Sequence, residues 1–265
     1  MKTLGMLVHN DLFKIFKYRP FLYLLAGVTA TMLALIFLFS REELVLRFSK
    51  TGEENNLYTS FFLAHYFFIS VFGLMATNLA VVFLYRTETE TSAYRFLLTL
   101  PVPGHFHILS KLLTGFLVNA LLAALMFAVI LMGAWILPFL LQQLSFHEFQ
   151  GALVVLIRFM IKFFVISCAV TSFHLACCLL IKHVTLMFLC SVFLPVICVF
   201  NFVNFLPYAW PFQNFWRGLK YKYDFNEWSP VLSLYEGLSL ALVATFIVLL
   251  YFGRIYLINR IKIFQ

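Results

Sequence analysis

The sequence predicts an all-α integral membrane protein with six transmembrane helices, and three observations carry that prediction. Of its 265 residues 63% are hydrophobic and 11% charged, with a mean hydropathy of +0.95, whereas soluble domains are roughly 45–50% apolar. Six stretches, about 21–40, 60–85, 107–136, 155–181, 184–205 and 231–253, each supply the ~20 apolar residues that cross a ~30 Å hydrocarbon core. The polar interruptions between them leave no room for a soluble domain, so residues 1–265 read as a single transmembrane domain.

Residues 1–19 precede the first span as an amphipathic helix. At 100° per residue, Leu4, Val8, Leu12, Ile15 and Phe16 fall on one arc, with His9, Asn10, Asp11, Lys14 and Lys17 opposite. Such a helix suits the membrane interface, and Pro20 separates it from the span that follows. The basic start followed by an apolar run has the outline of a signal peptide. The run from Phe21 to Phe39 is nevertheless long enough to span and lacks a small-residue cleavage site, so it is kept as the first membrane helix.

The first connection, Arg41 to Thr59, holds four Glu and three basic residues and reads as a solvated loop. The second is different. Thr87 and Glu90 form a T-x-x-E capping box, with Glu88 and Glu90 where a helix dipole favours acids. Ala93, Phe96, Leu97 and Leu100 then project on one arc, Glu88, Thr91, Ser92, Arg95 and Thr99 on the other, and Pro101, Pro103 and Gly104 end the pattern. A helix over 87–100, half apolar and half polar, is expected across the mouth between spans two and three.

Charges near span ends set the orientation. The N-terminus (Lys2, Lys14, Lys17, Arg19), the second connection (Arg86, Arg95, Lys111), the fourth (Lys182) and the tail (Arg254, Arg260, Lys262) hold eleven of nineteen Lys and Arg. By the positive-inside rule both termini are cytoplasmic. The net charge of +8 reads as topology and headgroup anchoring; nucleic-acid binding needs a clustered basic face, and none appears.

Charged and polar residues also occur inside the spans. Arg158 and Lys162 share a helix face near the outer start of span four, and Glu236 lies near the outer start of span six. Two placements fit: a charge network of Arg158, Lys162 and Glu236 facing the bundle, or cations snorkelling to the interface. His65, Asn78, Asn119, His174, Asn201 and Asn204 are explained by hydrogen bonds between helices. Five cysteines sit in apolar runs without a C-x-x-C pair and read as packing. His147 and Glu148 are adjacent and diverge on a helix, so they make no metal pair.

The fifth connection, 206–230, carries Tyr208, Trp210, Phe212, Phe215, Trp216, Tyr221, Tyr223 and Trp228. Dense Trp and Tyr beside Lys and Arg is the composition of a lipid–water interface. Pro207 and Pro211 break any continuous helix there.

No phosphate-binding G-x-x-x-x-G-K-[ST] loop, Ser/His/Asp set or paired carboxylates occur, which leaves no catalytic residue and no metal ligand set to name. The chain is not expected to be an enzyme. A transporter without its own energy source must borrow one through a cytoplasmic contact.

An N-terminal interfacial helix, six spans and a second-to-third connection reading E-x-E-x-x-x-Y-R-F-L-L-T-L-P-V-P-G…I-L-S-K resemble the membrane subunit of ABC-2 type transporters, particularly the permeases of the bacitracin and lantibiotic export or immunity group. The resemblance covers the whole chain in architecture and is concentrated in Glu88 to Lys111. It implies that the 87–100 helix is a coupling helix inserting into a separately encoded ATPase, with Glu88, Glu90, Tyr94, Arg95 and Phe96 at the contact. It also implies two permease copies, identical or paralogous, on an ATPase dimer. ATP and Mg would be bound by that partner, with no cofactor in this chain. Short re-entrant helices in 206–230 would close the outer end of the path, with Trp210, Phe212 and Trp216 as gate residues. The implied setting is a bacterial cytoplasmic membrane, and the implied cargo an amphipathic or hydrophobic peptide, antibiotic or lipid-like molecule moving outward. The alternative is a non-transporting anchor or sensor that recruits a cytosolic ATPase to a larger envelope machine.

Overall fold

A computed structural model of the chain describes residues 2–39, 65–89, 104–140, 146–180, 183–199, 206–213 and 234–263. These are helical almost throughout, and no strand occurs among them. Helix α1 (Lys2–Lys17) is followed by α2 (Arg19–Phe39). The break is one residue: the carbonyl of Tyr18 accepts the N–H groups of Phe21 and Leu22 at 3.0 and 3.5 Å. Pro20 falls in the first turn of α2, where its missing N–H has no helical partner to lose.

Helix α3 (Leu74–Thr89) is entered through a π-helical turn, Ile69–Gly73. Then come α4 (Gly104–Leu140), α5 (Phe146–Leu180), α6 (Val184–Val199), a 3-10 turn at Pro207–Ala209, and α7 (Leu234–Ile263). Stretches in α2, α3 with its entry, α4 and α5 are long and apolar enough to cross a membrane; the apolar parts of α6 and α7, Thr185–Val199 and Leu234–Leu249, are shorter. The chain is thus an all-α protein of membrane-spanning character.

Close contacts fix how the helices run. A Cβ on Gly73 would lie 3.0 Å from Met126 and 2.8 Å from Phe163, and one on Gly115 would lie 2.7 Å from Thr171 and 3.7 Å from Val81. Helices α3 and α5 therefore run parallel to each other, with α4 antiparallel between them. Glycine is needed at both positions because the neighbouring helices leave no volume for a side chain. Ile36 meets Gly133 near the far end of α4, so α2 and α4 run in the same sense.

The core follows this arrangement. Tyr66, Ile69, Leu74, Val118, Leu122, Met126, Phe159, Phe163 and Ile166 are buried in one apolar cluster reaching from α1 to residues 208–212. A smaller one, with Val81, Leu112, Leu175, Cys178 and Met187, closes the end where α3 finishes and α4 begins. The outward faces of α2, α6 and α7 carry large exposed apolar side chains, among them Tyr23, Phe37, Phe193 and Leu249, as lipid contact requires.

Helix α1 sorts its faces differently from the sequence expectation. Asp11, assigned to the outward polar arc, is 4% exposed and packed toward α4, whereas Met6 and Phe13 are exposed. The reason is local: α4 begins with a polar patch that offers Asp11 a hydrogen-bond donor, so the helix divides its residues between a polar cleft and apolar surroundings.

Candidate functional site

Among the described residues, polar side chains from different helices meet at several places in the apolar bundle. The first lies where α5 and α7 enter it. Lys162 Nζ is 3.5 Å from Glu236 Oε1, and the two side chains are 3% and 1% exposed. Glu236 occupies the first turn of α7, where the helix dipole also favours a carboxylate. Arg158, one turn before Lys162, is half-buried. Isolated, either charge would carry a large desolvation cost in hydrocarbon; as a pair the two offset it. Of the two cations considered, Lys162 is buried against the acid rather than extended to an interface.

The second grouping links α5, α6 and the 206–213 segment. His174 Nδ1 lies 2.6 Å from Tyr208 Oη, and His174 Nε2 lies 2.9 Å from Ser191 Oγ. Ser191 Oγ in turn donates to the Met187 carbonyl at 2.8 Å. Proton counting then orients the chain of bonds. The one hydroxyl hydrogen of Ser191 goes to the carbonyl, so His174 Nε2–H donates to Ser191, and Nδ1 accepts from Tyr208 O–H. A neutral imidazole satisfies every partner. Pro195, inside α6, removes the N–H that would otherwise bond the Ser191 carbonyl.

Within 206–213 the aromatic side chains turn inward and do not lie in an interface belt. Tyr208 and Phe212 are 0% exposed and Trp210 is 6%; Phe212 meets Phe67 at a ring separation of 6.0 Å, and Tyr208 meets Phe173 at 6.0 Å. Pro207 starts the 3-10 turn that tucks these rings inward. Burial of Tyr208 is tolerated because its hydroxyl has a partner. Trp216, the third gate candidate, lies outside the described residues.

The third grouping lies at the opposite end from the ion pair. Ser110 Oγ donates to Asp11 Oδ2 at 2.8 Å, Lys14 Nζ is 3.9 Å from Asp11 Oδ1, and His107 and Lys111 are buried alongside on α4. Tyr18 packs on Phe83 of α3 at 5.1 Å. Helix α1 is therefore fastened to the same end from which α3 leaves and α4 starts, the two ends joined by residues 90–103.

Of the coupling residues, Glu88 falls in the last turn of α3, its side chain beyond what is described; Glu90, Tyr94, Arg95 and Phe96 lie outside the described residues. Thr87, read from the sequence as a helix cap, sits within the continuous helix Leu74–Thr89.

Among the described residues no three His, Cys, Asp or Glu side chains come together to hold a metal ion. A shallow apolar groove of about 370 Å³ runs between α4 and α5, lined by Ala120, Ala124, Phe127, Ile157, Ile161 and Phe164. Sequence reasoning missed Tyr208 and Ser191 as partners of His174. The available signals were Ser191 inside the apolar span 184–205 and Tyr208 between Pro207 and Pro211, which composition alone does not single out. No family model matches the chain, and no curated protein or solved structure is significantly similar to it.

Proposed function

We propose that this chain is the membrane-spanning permease subunit of an ATP-driven exporter of the ABC-2 type, with six spans and both termini in the cytoplasm of a bacterium. In this reading the substrate is an amphipathic or hydrophobic molecule moved outward, and a separately encoded ATPase dimer supplies the energy. The observation that carries the reading is the acidic, aromatic and proline pattern from Glu88 to Lys111, joined to α1 being fastened beside the ends of that connection. A force applied to residues 87–100 would reach α3, α4 and α1 together, which is what a coupling element requires. In this reading the shorter helices α6 and α7 complete the six spans.

The test is physical association. Replacing Glu88 and Glu90 together with Lys reverses the charge presented to the ATPase and should abolish its co-purification while membrane insertion is retained. Undiminished co-purification would sink the coupling assignment. Substrate-stimulated ATP hydrolysis by the reconstituted complex separates transport from a purely anchoring role.

A further inference from the structure

Midway through the bundle, α3, α4 and α5 share a layer of polar side chains that their own helices do not satisfy. Asn78 is 0% exposed, yet neither its amide nitrogen nor its amide oxygen has a hydrogen-bond partner. Asn119 donates from Nδ2 to Thr171 Oγ1 at 2.8 Å, which leaves its Oδ1 without one. Thr77 and Thr114, both buried, likewise have unpartnered hydroxyls. That is not the ordinary behaviour of a helical threonine. Thr29, Thr31 and Thr245 all donate to the carbonyl four residues back.

Thr77, Asn78 and Asn119 belong to one level, and Thr114 lies more than a turn away along α4. The contacts at Gly73 with Met126 and at Gly115 with Val81 bracket α3 and α4 on either side of it, and place residues 77–78 opposite 119–120. The contacts of Gly73 with Phe163 and of Gly115 with Thr171 place residues 167–168 of α5 there too. Asn78, Asn119 and Cys168 each fall near the middle of their apolar stretches, His65–Leu84, Phe106–Ile136 and Leu156–Leu179. Cys168 lies beside Asn119, but a thiol is only a weak donor.

We propose that this layer is a water-binding site, in which one or more ordered waters bridge Asn78 to Asn119 with Thr77 as a further partner. Buried polar groups that do not meet directly are commonly joined in this way, and a water is held where two to four polar atoms converge. The donor set selects water over a cation. The layer contains no carboxylate, and Asn78 offers a donor together with an acceptor, which matches water's own mixture. The site stands independently of the export reading, because it depends only on the packing of three helices. Its consequence is structural: water supplies hydrogen bonds that the three helices do not make to one another at this level.

Radiolytic hydroxyl labelling of the full chain in lipid nanodiscs tests the site, because radicals formed from a bound water oxidise side chains that bulk solvent does not reach. Cys168 should be oxidised several-fold faster than Cys178 and Cys198, which are buried in apolar surroundings, and in H₂¹⁸O the added oxygen should carry the heavy isotope. Asn78→Leu should bring Cys168 down to the rate of the other two. Replacing sodium by choline should leave the labelling unchanged. Cys168 labelling no faster than Cys178 in the unaltered protein overturns the proposal, and that comparison needs no variant to fold. Fast labelling that survives Asn78→Leu overturns the role of Asn78, and labelling that depends on sodium overturns water as the ligand.

Discussion

Lys162 and Glu236 show how a charge is kept inside an apolar bundle. At 3.5 Å and nearly fully buried, the two side chains offset each other's desolvation, and breaking such a pair from one side costs about 3–5 kcal/mol. Lys162→Met alone should therefore lower thermal stability markedly, and adding Glu236→Gln should recover most of the loss. The measurement is built in: Cys168, Cys178 and Cys198 are buried, so a thiol-reactive dye reports unfolding. A double variant no more stable than the single would show that the two side chains are not energetically coupled. Tyr208 poses the same question without charge. Tyr208→Phe keeps the ring in its pocket but leaves His174 Nδ1 buried without a donor, a loss of about 1–3 kcal/mol in the same dye assay. Ser191→Ala takes away the acceptor for His174 Nε2–H and should cost a comparable amount.

Helix pairing in this bundle depends on where side chains are absent. Gly115 meets Thr171 at 2.7 Å from a notional Cβ, whereas Gly27 has nothing within 4 Å. Gly115→Val should thus separate α4 from α5 and cost about 1–3 kcal/mol by overpacking, while Gly27→Val should be nearly neutral by the same dye assay. Equal effects would mean that the α4–α5 contact is not tight. The sequence makes the elements legible because apolar length marks a span directly: α2, α4 and α5 lie over the expected 21–40, 107–136 and 155–181, with α4 longer at both ends and α5 longer at its polar start. It does not reveal which side of an element is covered. Asp11 was assigned outward because the arc rule presumes water on one face; a partner such as Ser110 reverses that choice without altering the pattern. Aromatic composition is the same at an interface and in a core, so Tyr208, Trp210 and Phe212 fit both a belt and the inward gate that the resemblance implies. Only the His174 partnership and the inward turn at Pro207 distinguish the two, and both depend on residues distant in sequence.

At the scale of the whole molecule, the polar groupings mark two ends. Asp11 with Ser110 and Tyr18 with Phe83 gather α1, the finish of α3 and the start of α4 at one end; Lys162 with Glu236 lies toward the other. Because α3 and α5 run toward the first end and α4 away from it, the finish of α3 and the start of α4 lie beside α1, and the finish of α4 and the start of α5 lie opposite. The first end also carries Lys2, Lys14, Lys17, Arg19 and Lys111, and excess Lys and Arg at span ends is retained on the cytoplasmic side. The proposed orientation puts the connections 41–59 and 206–230 outside. Single cysteines introduced at Gly52 and Asn226 should react with a membrane-impermeant thiol reagent in intact cells, and one at Ser92 should react only after the cells are opened. The native cysteines, each buried or half-buried, give a low background for the comparison. Labelling of Ser92→Cys in intact cells, with Gly52→Cys and Asn226→Cys protected, would invert the molecule, place the 87–100 segment outside, and remove any route by which a cytoplasmic ATPase could reach it.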